Sequence, residues 1–259
     1  MKRLSRVTPA KPIRVGVFSQ RGLNTLSTHS DPADSAASAS ANKRETATGL
    51  SRLPAPFEAA QEAVQSATTS LREAGVEPVL FVAYAASTYD ADLLAEGFGL
   101  AAGGVPLIGC STAGEIATGG AEDGGVIVFA LGGDGFAVEV SCQEVNDGDL
   151  RSAGSEVAGC VEQLAKRDST VLLLLSDGLS GDQQEVVRGA YERVGAEVPL
   201  VGGCAGDGLR MERTTQFFGS VALTNAIVAA AITSDGPIGI GVSHGWRSTG
   251  GSMTVTKSS

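Results

Sequence analysis

The sequence predicts an α/β domain with a mixed β-sheet, built from two duplicated strand–helix–strand–hairpin units with helices packed on the sheet faces. Three observations support this fold class. Short apolar runs alternate with stretches of helical periodicity from residue 56 onward. Glycine-rich turns separate several apolar runs, as they do in antiparallel hairpins. A shift of 93 residues also aligns one half of this pattern with the other. Strands that alternate with helices and hairpins are typical of mixed sheets.

The first 55 residues divide into three parts. Residues 1–12 form a basic tail, and residues 13–19 (Ile-Arg-Val-Gly-Val-Phe-Ser) alternate in the way of a half-buried N-terminal strand. Residues 20–55 are rich in Ser, Ala, Thr, Asn and Pro. Because such a composition buries too little apolar surface to offset the entropy of ordering, we predict that this segment is disordered. The folded domain is therefore predicted to span residues 56–259.

Periodicity predicts the elements of this domain in turn. Apolar residues at spacings of three and four from Phe57 to Ala74 predict an amphipathic helix that ends at Gly75. Residues 126–131 and 136–141 are predicted to form a hairpin around Gly-Gly-Asp-Gly. The other predicted strands are 79–85, 105–108, 171–175, 200–201, 217–223, 227–232 and 238–242, and the other predicted helices are 90–102, 150–165 and 182–194.

The internal repeat has halves at about residues 79–142 and 171–242. The shift of 93 residues places Ser87 on Ser180 and Gly109 on Gly202 without a gap. Both serines fit a capping box, which predicts that they begin equivalent helices. After a slip of one residue, Glu115 matches Asp207. Each half therefore ends in a glycine-rich loop that is closed by an acid, and we interpret the pattern as a duplication.

Two like units that pack about a pseudo-twofold axis bring equivalent loops together. Here the loops are residues 109–115 (Gly-Cys-Ser-Thr-Ala-Gly-Glu) and 202–207 (Gly-Gly-Cys-Ala-Gly-Asp). Their small residues leave room for a ligand, and a carboxylate at the end of each loop is suited to accept from an ammonium group. The alternative is that the glycines only permit tight turns and that the acids are solvated.

At these loops the sequence resembles a known family. Residues 106–115 (Pro-Leu-Ile-Gly-Cys-Ser-Thr-Ala-Gly-Glu) and 199–207 resemble two signatures of the FIST N domain. His244-Gly-Trp246 resembles its closing His-Gly-Trp, and residues 79–90 resemble its opening strand and turn. The resemblance covers about residues 79–250. It implies an intracellular sensory domain that binds a small ligand, amino acids among them, in signal transduction.

The chain departs from this family in two respects. The family usually continues into a C-terminal partner domain and an output module, whereas this sequence stops at Ser259. We therefore expect a signalling output protein or a FIST C-type domain to act in trans. The face that the C-terminal partner domain would otherwise cover favours a homo-oligomer. Cys204 stands where Ser or another small residue is expected. The candidate ligand-binding residues are Ser87, Cys110, Ser111, Thr112, Gly114, Glu115, Gly202, Gly203, Cys204, Asp207, His244 and Trp246.

Composition limits the other function classes. Residues 1–52 hold nine Lys and Arg against three Asp and Glu, and the whole chain carries a net charge of −10, so the body is acidic and disfavours nucleic acid. No run approaches the roughly 18 apolar residues of a membrane helix. Four cysteines without a CxxC spacing are typical of reduced thiols. These features predict a soluble cytoplasmic protein, or an organelle protein if the Ser- and Arg-rich start is a transit peptide.

Three rival functions remain open at this point. An enzyme would use Cys110, Cys204 or Ser111 as nucleophile and His244 as base, although no catalytic motif is present and we expect neither catalysis nor a cofactor. A hard cation would need some of the carboxylates to converge, the candidates being Glu115, Asp123, Asp177, Asp182 and Asp207. The third rival is a protein-interaction module with a vestigial pocket, which would present an exposed apolar patch.

Overall fold

The computed structural model describes residues 43–117, 119–122, 124–146 and 148–242, with the backbone alone for residues 121 and 122. The predicted basic tail, the predicted strand 13–19 and residues 20–42 lie outside this part. The described residues from 43 to 238 cluster as one compact unit. A second unit comprises residues 1–28 and 239–259, of which only residues 239–242 are described, without helix or strand.

The described part contains twelve strands, four α-helices and one short 3-10 helix. In order they are β1 (Glu45–Ser51), α1 (Pro56–Glu73), β2 (Pro78–Ala86), α2 (Ala91–Ala102), β3 (Leu107–Thr112), β4 (Glu115–Ala117), β5 (Gly120–Glu122), β6 (Val126–Gly132), β7 (Phe136–Glu144), α3 (Leu150–Ala158), the 3-10 helix (Gly159–Gln163), β8 (Ser169–Asp177), α4 (Gln183–Val194), β9 (Leu200–Ala205), β10 (Gln216–Phe218), β11 (Val221–Leu223) and β12 (Ala226–Ser234).

The strands form two main sheets, each of mixed direction. The first has the order β1-β6-β2-β3-β10-β11 and the second the order β7-β12-β8-β9, while β4 and β5 pair only with each other among the described residues. In the first sheet β2 and β3 are parallel and the other pairs are antiparallel. The predicted fold class is confirmed as a mixed α/β fold with two mixed sheets and four α-helices in the described part.

Three apolar clusters show how these elements are layered. The first cluster joins α1 and α2 to one face of the first sheet, and the second joins α3 and α4 to one face of the second sheet. The third lies between the two sheets and contains Leu80 and Ile108 from the first with Leu175 and Val228 from the second. The described part is therefore a sandwich of helices, sheet, sheet and helices. No helix within it is both long and apolar enough to cross a membrane.

The two halves share one topology. The first four strands of the first sheet's order, β1-β6-β2-β3, correspond to β7-β12-β8-β9, and α1 and α2 correspond to α3 and α4. Small hairpins, β4–β5 and β10–β11, follow the third strand of each half. The hairpins break the symmetry, because β10 pairs with β3 of the other half, whereas β4 has no such pairing with β9 in the described residues.

The predicted disordered segment 20–55 is wrong in its last part, since it contains β1. This strand pairs with β6 along its whole length. Gly49 brings it against α1 so closely that an added Cβ would lie 1.9 Å from the carbonyl oxygen of Ala63. The Ser- and Ala-rich composition around this strand led to the prediction of disorder. The strand is stabilised by its long-range contacts with β6 and α1, which composition does not indicate.

Some predicted pairings and boundaries are also wrong. Residues 126–131 and 136–141 are strands but not a hairpin, because β6 and β7 belong to different sheets. Residues 217–223 form two strands, and residues 238–242 form none. The helix caps are Asp90 and Asp182, whose carboxylates accept from the first-turn amides, rather than the serines of the predicted capping boxes. The helices α2 and α4 therefore align at a shift of 92 residues, whereas β3 and β9 align at a shift of 93 residues.

Candidate functional site

The two predicted loops meet at the carboxyl ends of β3 and β9, where Ser111 joins them. The Ser111 hydroxyl donates to the carbonyl oxygen of Gly206 at 2.7 Å and accepts from the amide of Thr215 at 2.9 Å. Its backbone carbonyl also accepts from the amide of Gly206 at 2.9 Å. Ser111 is only 4% exposed, so these bonds lie out of competition with water. The two loops therefore form one continuous structure.

Glu115 holds the first loop from the inside. Its side chain is 2% exposed, and one carboxylate oxygen accepts from the hydroxyl of Thr112. The other accepts from the amides of Gly124 at 3.0 Å and Gly125 at 3.2 Å. These bonds fix the connection between β3 and β6. The carboxylate is thus directed toward the chain rather than toward solvent.

Asp207 holds the second loop in a similar way. Its carboxylate accepts from the amides of Met211 (3.0 Å), Glu212 (2.7 Å) and Arg213 (3.2 Å). These bonds, the one from Glu212 first, hold the pKa of Asp207 below its usual value. They also stabilise a turn in which Leu209 and Met211 adopt the left-handed conformation, with φ of 66° and 58°.

The rest of the predicted ligand-binding set differs in exposure. Thr112 and Ser87 are half-buried, and Cys110 is buried. Four residues are exposed, namely Gly114, Gly202, Gly203 and Cys204. His244 and Trp246 lie outside the described residues. The solvent-facing surface of the two loops is therefore made largely of backbone and small side chains.

Burial governs the chemistry of the cysteines. It raises the pKa of the Cys110 thiol to about 12, so this thiol is protonated at neutral pH and is a poor nucleophile. Burial raises the pKa of Cys160 to about 11 for the same reason. Cys204 is exposed, with its sulfur 3.8 Å from the hydroxyl of Ser176.

The carboxylates considered for a cation serve the backbone instead. Asp177, at the end of β8, accepts from the amides of Leu179 at 2.8 Å and Asn225 at 3.0 Å. Asp182 caps α4. Within the described ranges, no three His, Cys, Asp or Glu side chains are close enough to share a metal ion, and Asp123 lies outside those ranges.

Sequence reasoning missed two residues that contribute to this surface. The Arg210 guanidinium donates to the carbonyl oxygens of Asp207 (3.0 Å) and Ser87 (3.2 Å), so it links the second loop to the end of β2. The hydroxyl of Tyr89 lies 2.8 Å from the carbonyl oxygen of Leu53 and 3.2 Å from that of Gly124. Neither residue belongs to a repeated position, and repetition was the signal that singled out the others.

An open depression of about 410 Å³ lies elsewhere, on α4. Its lining consists of Gln183, Gln184, Val187 and Arg188, none of which belongs to the two loops. The side-chain oxygen of Gln183 is buried and has no hydrogen-bond partner among the described residues.

Comparison with known proteins gives one family match. The family model described as FIST N domain matches residues 79–259. None of the curated proteins compared with the chain matches it. Among solved structures, a cyanuric acid hydrolase from A. caulinodans is similar, with 13% identity and a TM-score of 0.37 over 73% of this chain and 71% of that one. Another cyanuric acid hydrolase structure gives 12% identity and a TM-score of 0.42 over 79% and 72%. Similarity at this level does not extend to function.

Proposed function

The chain belongs to the FIST N domain family, and from this membership we propose that it is an intracellular sensory domain that binds a small ligand in signal transduction. The ligand site is the surface where the loops 109–115 and 202–207 meet. The observation that carries this proposal is the bridge through Ser111, which makes the two loops one surface. A ligand seated there touches both halves of the fold.

The chemistry of this surface favours a compact polar ligand. Exposed backbone at Gly114 and Gly203 allows close approach, and the half-buried Thr112 supplies a hydroxyl. Buried carboxylates stand behind both loops at Glu115 and Asp207, so the local potential favours an ammonium group. The exposed guanidinium of Arg210 lies beside the second loop and suits a carboxylate. A free amino acid carries both groups, which is why we place amino acids first among the candidates.

Binding without catalysis agrees with the state of the Cys110 thiol. Cys110, the cysteine within the first loop, is buried and protonated. A nucleophile needs an accessible thiolate or an adjacent base. The proposed partners are a small molecule and a signalling protein or FIST C-type domain that binds differently to the ligand-bound form.

A thermal-shift screen of the full chain against free amino acids and related metabolites tests the proposal. A ligand at a hundred times its Kd adds about 2.7 kcal/mol, which raises the Tm of a domain of this size by about 5–11 °C. We expect one chemical class to give this shift. Thr112→Ala and Arg210→Ala should each weaken binding of the same ligand about tenfold, whereas the matched surface change Arg72→Ala should not. A flat screen on a protein that melts cooperatively would refute the ligand-binding function.

A further inference from the structure

The two halves of the fold differ at one equivalent edge. In the first sheet the outer edge of β3 is covered by β10, with Phe217 directly opposite Gly109. In the second sheet β9 occupies the equivalent place, and it ends the sheet in the described part of the chain. The parallel registers, Phe81 with Leu107 and Leu172 with Leu200, make Gly202 the equivalent of Gly109.

The main-chain groups of β9 are arranged to receive a strand. In β3 the outward-facing groups are those of Leu107 and Ser111, which bond to the residues that flank β10: the amide of Gly219 donates to Leu107, and the amide of Ser111 donates to Thr215. By equivalence with β3, the outward-facing groups of β9 are those of Leu200 and Cys204, with Gly202 (φ of 136°) between them. Uncovered edge strands of this kind are templates for pairing with another chain.

The side chains of α4 beside this edge are more exposed than their equivalents on α2. In the first half, α2 turns the fully buried Ala95 toward the sheet, and Gly99 faces the hairpin turn, where an added Cβ would lie 2.4 Å from the Cβ of Ser220. At the shift of 92 their equivalents on α4 are Val187 and Tyr191. These two residues are 43% and 39% exposed, one turn apart on one side of the helix.

The first half shows which side chain lies opposite the glycine that is equivalent to Gly202. In the first half, Phe217 lies over Gly109, is 1% exposed and packs edge-on against Phe98 at 5.3 Å. In the second half, the smaller Ala190 stands at the position of Phe98 and is fully buried. The depression on α4 includes Val187 in its lining, together with Gln183, Gln184 and Arg188.

We propose that the edge of β9 that is open in the described part, together with Val187 and Tyr191 of α4, binds an antiparallel β-strand of a partner protein other than this chain, and that this strand places an aromatic side chain opposite Gly202. Backbone hydrogen bonds to β9 set the register, and the aromatic side chain against α4 sets the specificity. The occupant is a single strand without the tight turn of β10–β11, because Tyr191 stands where Gly99 lets that turn approach. This inference does not depend on the ligand proposed above.

The probe is a fluorescent synthetic peptide of residues 213–219 (Arg-Thr-Thr-Gln-Phe-Phe-Gly), which reproduces β10 without its turn. We expect fluorescence anisotropy to show saturable binding to the full chain. The same peptide with Phe217→Asp should bind at least tenfold more weakly. Val187→Arg and Tyr191→Arg in the protein should each weaken binding about tenfold, since both positions are exposed and tolerate a charge. Leu100→Arg, at an exposed apolar position on α2 (66% exposed), is the control and should have no effect.

Disulfide trapping checks the register independently of affinity. The Ser111–Thr215 contact in the first half is equivalent to a contact between Cys204 and the peptide's Thr215 position. In a glutathione redox buffer, whose oxidised form accepts the two electrons, a Thr215→Cys peptide should therefore form a mixed disulfide with Cys204 faster than a Phe218→Cys peptide.

Four results would overturn the proposal. The first is that the peptide does not bind at about 1 mM, and the second is that Val187→Arg and Tyr191→Arg bind it as tightly as the wild type does. The third is that the Thr215→Cys and Phe218→Cys peptides form the disulfide at the same rate. The fourth is that, without peptide, the wild type self-associates and Tyr191→Arg abolishes this self-association. The last would identify a second copy of the chain as the occupant.

Discussion

Replacement of Ser111 by alanine tests whether the two loops are held together as described. The change removes a buried hydroxyl that donates to Gly206 and accepts from the amide of Thr215. The Thr215 amide is left buried without a partner, which costs about 1–3 kcal/mol, while the half-buried Gly206 carbonyl regains water at little cost. We therefore expect Ser111→Ala to lower the free energy of unfolding by about 2 kcal/mol.

The measurement is urea denaturation of the full chain followed by circular dichroism, with a thermal melt alongside. A loss of about 2 kcal/mol corresponds to a Tm lower by about 4–8 °C for a domain of this size. Ser70→Ala is the matched control, because its hydroxyl bonds a carbonyl on the exposed side of α1 at 3.1 Å. We expect that control to change stability by less than about 0.5 kcal/mol. Equal small effects of both variants would mean that Ser111 does not join the loops.

Three further predictions concern other parts of the molecule. Gly49→Ala should destabilise the fold by about 1–3 kcal/mol or more in urea, because the added methyl meets α1, whereas Gly203→Ala meets nothing within 4 Å and should be nearly neutral. Asp207 has a depressed pKa in the folded state, so its stabilisation is present above its unfolded pKa of about 3.9 and is lost as pH falls below that value. The stability difference between Asp207→Asn and the wild type should accordingly shrink below about pH 4, and a constant difference down to pH 2 would contradict the assignment. Ellman's reagent should modify Cys204 in the native protein but Cys110 only after unfolding, and Cys204→Ser should remove the fast phase.

The prediction of the fold was most accurate where local periodicity carries the information. The stripe on α1 fixes which residues of that helix are buried, and Val64, Ala67 and Leu71 are fully buried. The apolar runs at β8 and β12 likewise identify strands that are covered on both faces. In such elements the pattern follows from the geometry of one helix or strand, so the sequence contains it directly.

The prediction failed where the partner of an element decides its state. The sequence at β6 and β7 predicts two strands but not that they join different sheets. In the same way, β1 is ordered only because β6 and α1 cover it. The gapless repeat placed Ser87 on Ser180, whereas the caps at Asp90 and Asp182 show that the helices align one residue differently.

The candidate site divides in the same way. From the sequence alone, residues 109–115 and 202–207 are recognised as similar glycine-rich segments that end in an acid, but residues 109–112 belong to β3 and residues 202–205 to β9 rather than to loops. The folded arrangement adds that both acids turn inward to backbone amides, that Ser111 joins the two segments, and that β3 is covered while the described edge of β9 is open. Sequence periodicity specifies which side of an element is apolar, but hydrogen-bond partners and covering strands come from distant parts of the chain. Their choice depends on the packing of the whole fold.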